Sequence, residues 1–262
     1  IASDDLGSKI GFAGIRFLFA GILVTILAII QKRKFKVEQK SVVAWLLLFA
    51  MVNTALHYLF SYVGLGYLPS SRSTILDSMN GFFAIILSCI IFEDDKFSKF
   101  KALGCILGFS GILLINIEPG QNFFQGISFR GDGMILLNAL CGAFGGIITR
   151  IISKKMDMTV ATSLSMTIGG AFLCVVSAII GPAARWTITT ESIIIMIGLI
   201  LISAVCFGVY NQLLAYHPIS KIAIFNAFIP ILGVIFSSII LGEPMRVKYI
   251  IAGCMVALGV YV

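Results

Sequence analysis

Charge is what this sequence has least of. Only 12% of its 262 residues are Asp, Glu, Lys or Arg, 59% are hydrophobic, and the mean hydropathy is +1.04. An average soluble domain is roughly 25% charged, so this balance excludes a soluble domain. The net charge of +7 does not make a nucleic-acid partner, because the basic residues fall in short stretches between apolar runs, where membrane topology places them. Histidine is nearly absent: His57 and His217 have no Cys or carboxylate at ligand spacing, which argues against a metal centre. The six cysteines lie inside apolar runs without a CxxC pair and read as packing residues. Walker loops, HExxH and Ser/His/Asp arrangements are missing, so the chain is read as no enzyme, with no catalytic residue and no cofactor. Period-two alternation is missing too, which excludes a β-barrel.

What is present is a series of apolar runs, each about as long as the roughly 17–25 residues of a membrane-spanning helix. Only helices and closed barrels satisfy their backbone in lipid, so the fold class is an all-α integral membrane bundle. The runs predict helices over 10–31 (α1), 42–63 (α2), 72–92 (α3), 100–117 (α4), 131–150 (α5), 159–181 (α6), 191–214 (α7), 219–241 (α8) and 247 to the end (α9).

The second half repeats the first at an offset of 149 residues. Tyr67 falls on Tyr216, Pro69 on Pro218, Asp77 on Asn226, Ser88 on Ser237, Lys99 on Lys248, Gly104 on Gly253 and Cys105 on Cys254. Helices α6 to α9 then map onto α1 to α4, and α5 maps to positions before residue 1. The expectation is a ten-helix protein whose first helix precedes this sequence and whose last helix is cut short. Its first repeat covers 1–117, a connecting loop 118–130 and its second repeat 131–262. Five helices separate equivalent positions, and five is odd, so the second repeat enters the membrane from the opposite side. Inverted repeats of this kind are a signature of secondary transporters.

Orientation follows from basic residues. The stretches 32–40, 93–101, 150–157 and 217–221 carry 5, 3, 3 and 1 Lys or Arg; the other side carries Lys9, Arg72, Arg130, Arg185, Arg246 and Lys248. The richer side is expected in the cytoplasm.

Polar residues inside such helices need a reason. Ser73, Asp77, Asn80, Ala84 and Ser88 share one face of α3, and Asn226, Pro230, Gly233 and Ser237 share the matching face of α8. Asn138, Gly142, Gly145 and Thr149 share a face of α5; Asn53, His57 and Ser61 share one in α2, with Tyr58 and Tyr62 beside it; α7 ends on Tyr210, Asn211 and Gln212. Any one Ser, Thr or Gly is better read as helix glue; the set reads as a substrate cavity. Asp77 stands out as the carboxylate well inside an apolar helix, suited to a cationic group or a proton, or else held structurally by the helix start or Arg72. Arg16 suits an anionic substrate group, with the blander reading that it snorkels to the interface. Tyr58, Tyr62 and Tyr210 suit stacking on a planar or cationic substrate, although membrane aromatics also settle at interfaces. Gly104 and Gly108 form a GxxxG in α4, matched by Gly253 and Ala257 in α9. The acidic run Glu93-Asp94-Asp95 reads as a solvated turn.

PISKIAIFNAFIPILGVIFSSIILGEP followed by AGCMVALGV, and SYVGLGYLPSSRSTIL followed by LGCILGFSGILLI, resemble the EamA-type signature of the drug/metabolite transporter superfamily. IRFLFAGIL in α1 resembles that family's Arg-Phe-containing second helix. The resemblance implies ten helices in two inverted repeats, cytoplasmic termini, and export or exchange of small metabolites through a central cavity to which α2, α3, α7 and α8 contribute heavily. The equivalent of Gly242-Glu243 after α3 lacks the glycine, and Asn80-Gly81 stands where a Pro-containing pair is often found. The expected function is therefore a carrier in the cell membrane for a small polar or amphipathic solute, an amino acid or a drug-like compound, working by alternating access. The expected partners are that solute and the lipid bilayer, and a homodimer is compatible with the reading. A nucleotide-sugar or phosphate-ester antiporter is the runner-up, but it needs several intramembrane cations and only Arg16 offers one. A membrane-embedded enzyme or a non-transporting scaffold are the readings from other classes.

Overall fold

The computed structural model describes residues 5–35, 40–93, 98–116, 127–181, 189–219, 222, 228–244 and 247–261. These residues form helices and connections, with no strand among them. The helices are α1 Leu6–Ile30, α2 Lys40–Leu65, α3 Ser70–Ile91, α4 Lys99–Asn116, α5 Phe129–Ile152, α6 Met158–Ile180, α7 Thr190–Tyr216, α8 Phe228–Leu241 and α9 Val247–Tyr261. Six are long and apolar enough to cross a membrane (α1, α2, α3, α5, α6 and α7), and α4, α8 and α9 contain shorter apolar stretches. The protein is a multi-pass integral membrane protein.

Helix starts follow local chemistry. The hydropathy pattern starts α1 at residue 10, but the helix begins four residues earlier. Asp5 caps it, accepting the Ser8 amide at 3.1 Å and the Ser8 hydroxyl at 2.6 Å. An N-cap carboxylate stabilises a helix whatever the hydropathy of the first turn. Asp157 caps α6 in the same way, accepting from the Thr159 and Val160 amides at 2.9 and 3.3 Å.

Three helices depart from regular geometry. In α2 the stretch Met51–Leu56 is π-helical, α5 opens on the π-helical stretch Phe129–Gly133, and α3 is interrupted at Ser78, between Ser70–Asp77 and Met79–Ile91. The Ser78 hydroxyl bonds back to Thr74 O at 2.8 Å, and Gly81 N–H closes a tight turn on Ser78 O at 3.1 Å.

The chain divides into two compact units, Ile1–Tyr62 with Ile148–Tyr216, and Val63–Ile147 with His217–Val262. Each unit draws on both sequence repeats. In the first, α1 packs on its repeat mate α6, the two running antiparallel. Gly7 lies against Gly181, Gly14 against Cys174 and Gly170, and Gly21 against Thr167 and Ser163. A Cβ on Gly21 would fall 2.5 Å from the Thr167 backbone N, and one on Gly170 2.4 Å from the Leu18 backbone N. Gly21 and Gly170 are repeat mates, so this close approach exchanges with itself: Gly21 meets Ser163 as Gly170 meets Gly14. The α1 core face, Ile10, Ala13, Phe17, Ala20 and Val24, follows helical spacing and packs with Met166, Leu173 and Ala204.

The second unit repeats the arrangement. The mates α3 and α8 run antiparallel, with Ser71 Oγ 3.3 Å from Ser237 Oγ and Thr74 against Gly233. The mates α4 and α9 also run antiparallel, with Gly104 at Gly259 and Gly111 at Ala252. This corrects the expected small-residue partnership. The GxxxG of α4 straddles Gly259, whereas Gly253 faces Pro230 across a cleft of about 200 Å³ lined also by Val234, Tyr249 and Cys254. The core here joins Ile75, Met79 and Phe82 to Ala252 and Val256.

Candidate functional site

In the second unit, the interruption of α3 directly follows Asp77. Asn138 of α5 donates from Nδ2 to Asp77 Oδ1 at 2.5 Å, and Asn138 is only 2% exposed. Arg72 is occupied elsewhere: its Nε and Nη2 converge on Asp132 Oδ1 at 2.8 and 2.6 Å, while Asp132 Oδ2 accepts the Ser128 amide at 2.9 Å. Asp132 is 2% exposed, and a buried carboxylate with that donor set leaves little of the Arg72 charge for another group. The structural reading of Asp77 as a partner of Arg72 is thereby corrected. Among the described residues no cation lies at ion-pair distance from Asp77. Asn80 follows the interruption and is half-buried. Asn226, the repeat mate of Asp77, lies outside the described residues.

A second carboxylate, named above only within the Gly242-Glu243 pair, anchors the start of α3. Glu243, just beyond α8, accepts the Ser70 and Ser71 amides at 2.7 and 3.1 Å and also the Ser71 hydroxyl. Partial burial pushes its pKa up, but hydrogen bonds from Ser237, Ser71 and the two amides outweigh that and hold it at about 2.

In the first unit, Arg16 lies 10 residues into α1, or about 15 Å at 1.5 Å per residue. The guanidinium stacks over the rings of Phe17 at 4.5 Å and Tyr58 at 5.4 Å. It has no ion pair among the described residues, and its buried Nε has no hydrogen-bond partner. Cation–π contacts of this kind supply about 0.5–2 kcal/mol each.

Phe17, Tyr58 and Phe207 form one ring cluster, with centroids 4.1, 5.7 and 6.0 Å apart. His57 sits edge-on to Tyr58 at 4.8 Å. Asn53 falls in the π-helical turn of α2, where its buried Nδ2 has no hydrogen-bond partner. π-Helical turns recur at functional sites.

Of the α7 residues, Asn211 is buried and donates to Thr162 at 3.1 Å, and Gln212 donates to Thr159 at 2.8 Å. Tyr210, about 100° away on the helix, is 36% exposed. Sequence reasoning missed the polar stripe of α6. Thr162 takes Asn211, Thr159 takes Gln212, and Ser165 lies 3.2 Å from Thr54. The run Met158-Thr-Val-Ala-Thr-Ser-Leu-Ser carried that signal, but each hydroxyl alone reads as helix glue. Also missed was an open groove of about 1050 Å³ at the α1 and α5 ends, lined by Lys32, Arg33, Lys34, Lys155 and Asp157, where Arg33 pairs with Asp157 at 3.4 Å.

Comparison with known proteins agrees with the helical repeat. A protein of Bacillus subtilis named as an uncharacterized transporter, YvbV, is 27% identical over 93% of this chain and 78% of its own length. A WAT1-related chloroplastic protein of Arabidopsis thaliana is 24% identical over 95% of this chain and 61% of its own length. A protein of known crystal structure shares the fold with a TM-score of 0.68 at 12% identity, covering 96% of this chain and 85% of that one. The profile of the family described as the EamA-like transporter family matches residues 2–117 and 129–262. With both halves of the sequence matched and the repeat mates packed on each other, the chain belongs to the EamA-like transporter family.

Proposed function

We propose that this transporter is a carrier in the cell membrane that exports or exchanges a small polar or amphipathic metabolite by alternating access, without covalent chemistry. The observation that carries the reading is the antiparallel, self-exchanging contact of α1 with α6 through Gly21 and Gly170. Repeat mates packed in this way let one sequence pattern adopt two related conformations with the roles of its halves exchanged, as inverted-repeat carriers require. Asp77, with Asn138 as its hydrogen-bond partner and α3 interrupted beside it, serves as a solute contact or a proton carrier. Asn80, in the same unit as Asp77, supplies a further polar contact, and Asn53, His57 and Asn211 are the polar candidates of the first unit. A phosphate-ester antiporter is less favoured, because one arginine inside an apolar helix is too little charge for a dianion.

The test is uptake of labelled amino acids, nucleosides and organic ions into liposomes containing the full-length protein. A carrier gives saturable flux that excess unlabelled solute suppresses. Flux no greater than in empty liposomes, across the panel and from folded protein, would support a scaffold or an enzyme instead. In Asp77→Asn, proton coupling predicts that gradient-driven accumulation is lost while exchange persists, and solute contact predicts weaker binding at every pH.

A further inference from the structure

We propose that Arg16 and the rings of Phe17, Tyr58 and Phe207 form a binding site for an organic monoanion, a carboxylate carried on an apolar or planar body. The carrier reading supplies the context, because a solute must reach mid-depth of the membrane, but binding at this site is measurable without transport.

Three observations converge. Arg16 lies inside the apolar run of α1, where an ionisable side chain needs a reason. Its contacts are with rings: among the described residues no carboxylate pairs with it, and its buried Nε has no acceptor. The face that accompanies it is aromatic, with Phe17 fully buried and Tyr58 and Phe207 packed on it. Guanidinium presents a fork of donors matched to a carboxylate. A carboxylate would satisfy the fork and neutralise the charge, while the attached body packs on the half-buried rings of Tyr58 and Phe207 at offset or edge geometry. Tyr62, packed against the same cluster, offers a hydroxyl to the polar end of the ligand. The charge also sets the class. This cluster contains one cation, which balances a carboxylate and leaves a phosphate dianion half-compensated. An amine is repelled.

The probe is sodium benzoate against benzamide, which has the same shape without charge, at constant ionic strength on the purified full chain. Thermal shift and calorimetry are read for wild type, Arg16→Lys and Arg16→Met. Benzoate should stabilise the wild type and benzamide should not; Arg16→Met should weaken benzoate at least tenfold, and Arg16→Lys should retain part of it. Without ligand, Arg16→Met should melt no lower than wild type, because it removes an uncompensated charge. Lack of benzoate binding by the wild type, equal binding of benzamide, benzoate binding unaffected in Arg16→Met, or a destabilised ligand-free Arg16→Met would each overturn the assignment. Phenyl phosphate binding more tightly than benzoate would overturn the carboxylate class. Labelled benzoate in liposomes separates the two claims. Arg16-dependent binding without uptake leaves the anion site standing against the carrier reading, and uptake of other solutes without benzoate binding does the reverse.

Discussion

Glu243 shows how much a single side chain contributes here. It holds two amides at the start of α3, which are among the donors a helix N-terminus otherwise leaves unsatisfied. Loss of such a cap costs about 0.5–2 kcal/mol, and Glu243→Gln is expected to lower the melting temperature accordingly. The pH dependence has a definite sign. The ordinary value is 4.5 and the folded value about 2, so the carboxylate stabilises the fold above pH 4.5 and loses that effect as pH falls through about 2. The gap between wild type and Glu243→Gln should therefore be full at pH 6 and shrink below pH 4.5. A gap unchanged at pH 2.5 would show that the carboxylate charge is not what stabilises the helix start. Asp77 and Arg16 were legible in the sequence because charge inside an apolar run is rare. Their surroundings were not. Asn138 lies 61 residues from Asp77, and Asp132 claims Arg72 through packing that no local pattern encodes. Gly242-Glu243 was visible as part of the family resemblance, but the role of Glu243 was not legible, because its partners, Ser70 and Ser71, are 173 and 172 residues away.

Helix periodicity and helix pairing were legible to different degrees. The apolar runs gave most helix limits closely, since α6 starts at 158 against an expected 159 and α7 at 190 against 191. The π-helical turn of α2 and the interruption of α3 were not legible, because Asn53 and Ser78 have no residue pattern that demands either geometry. Small-residue motifs misled, because sequence equivalence is not equivalence of contact. Gly104 and Gly253 are repeat mates, yet a Cβ on Gly104 would fall 2.2 Å from the Gly259 carbonyl oxygen, while one on Gly253 would find its nearest neighbour, in Pro230, at 3.8 Å. Backbone cannot yield as a flexible side chain can. Gly104→Ala should cost about 1–3 kcal/mol through overpacking, whereas Gly253→Ala should be neutral or raise stability by up to about 1 kcal/mol through helix propensity. Melting temperatures of the two purified variants check this. Equal losses, or a larger loss at Gly253, would contradict the pairing of α4 with α9 through Gly259.

At the scale of the whole molecule, the repeats are sequential while the compact units interleave them. The 149-residue offset was readable because matched residues survive in both halves, and it implied antiparallel mates; it did not say that mates would pack on each other within one unit. That packing joins helix ends that the Lys/Arg count assigns to one side of the membrane: Gly7 with Gly181 in the first unit, Ser71 with Glu243 in the second. The central claim is that the protein alternates its access. It is tested most directly by a single cysteine at Asn80, placed in a chain whose six native cysteines are replaced and reconstituted in vesicles. A membrane-impermeant thiol reagent is applied from each side in turn, with and without a solute found to be taken up, and Lys34→Cys serves as the control for the cytoplasmic side. The account predicts reaction from both sides, with solute raising one rate while lowering the other. Reaction from one side only, or two rates that rise and fall together, would contradict it.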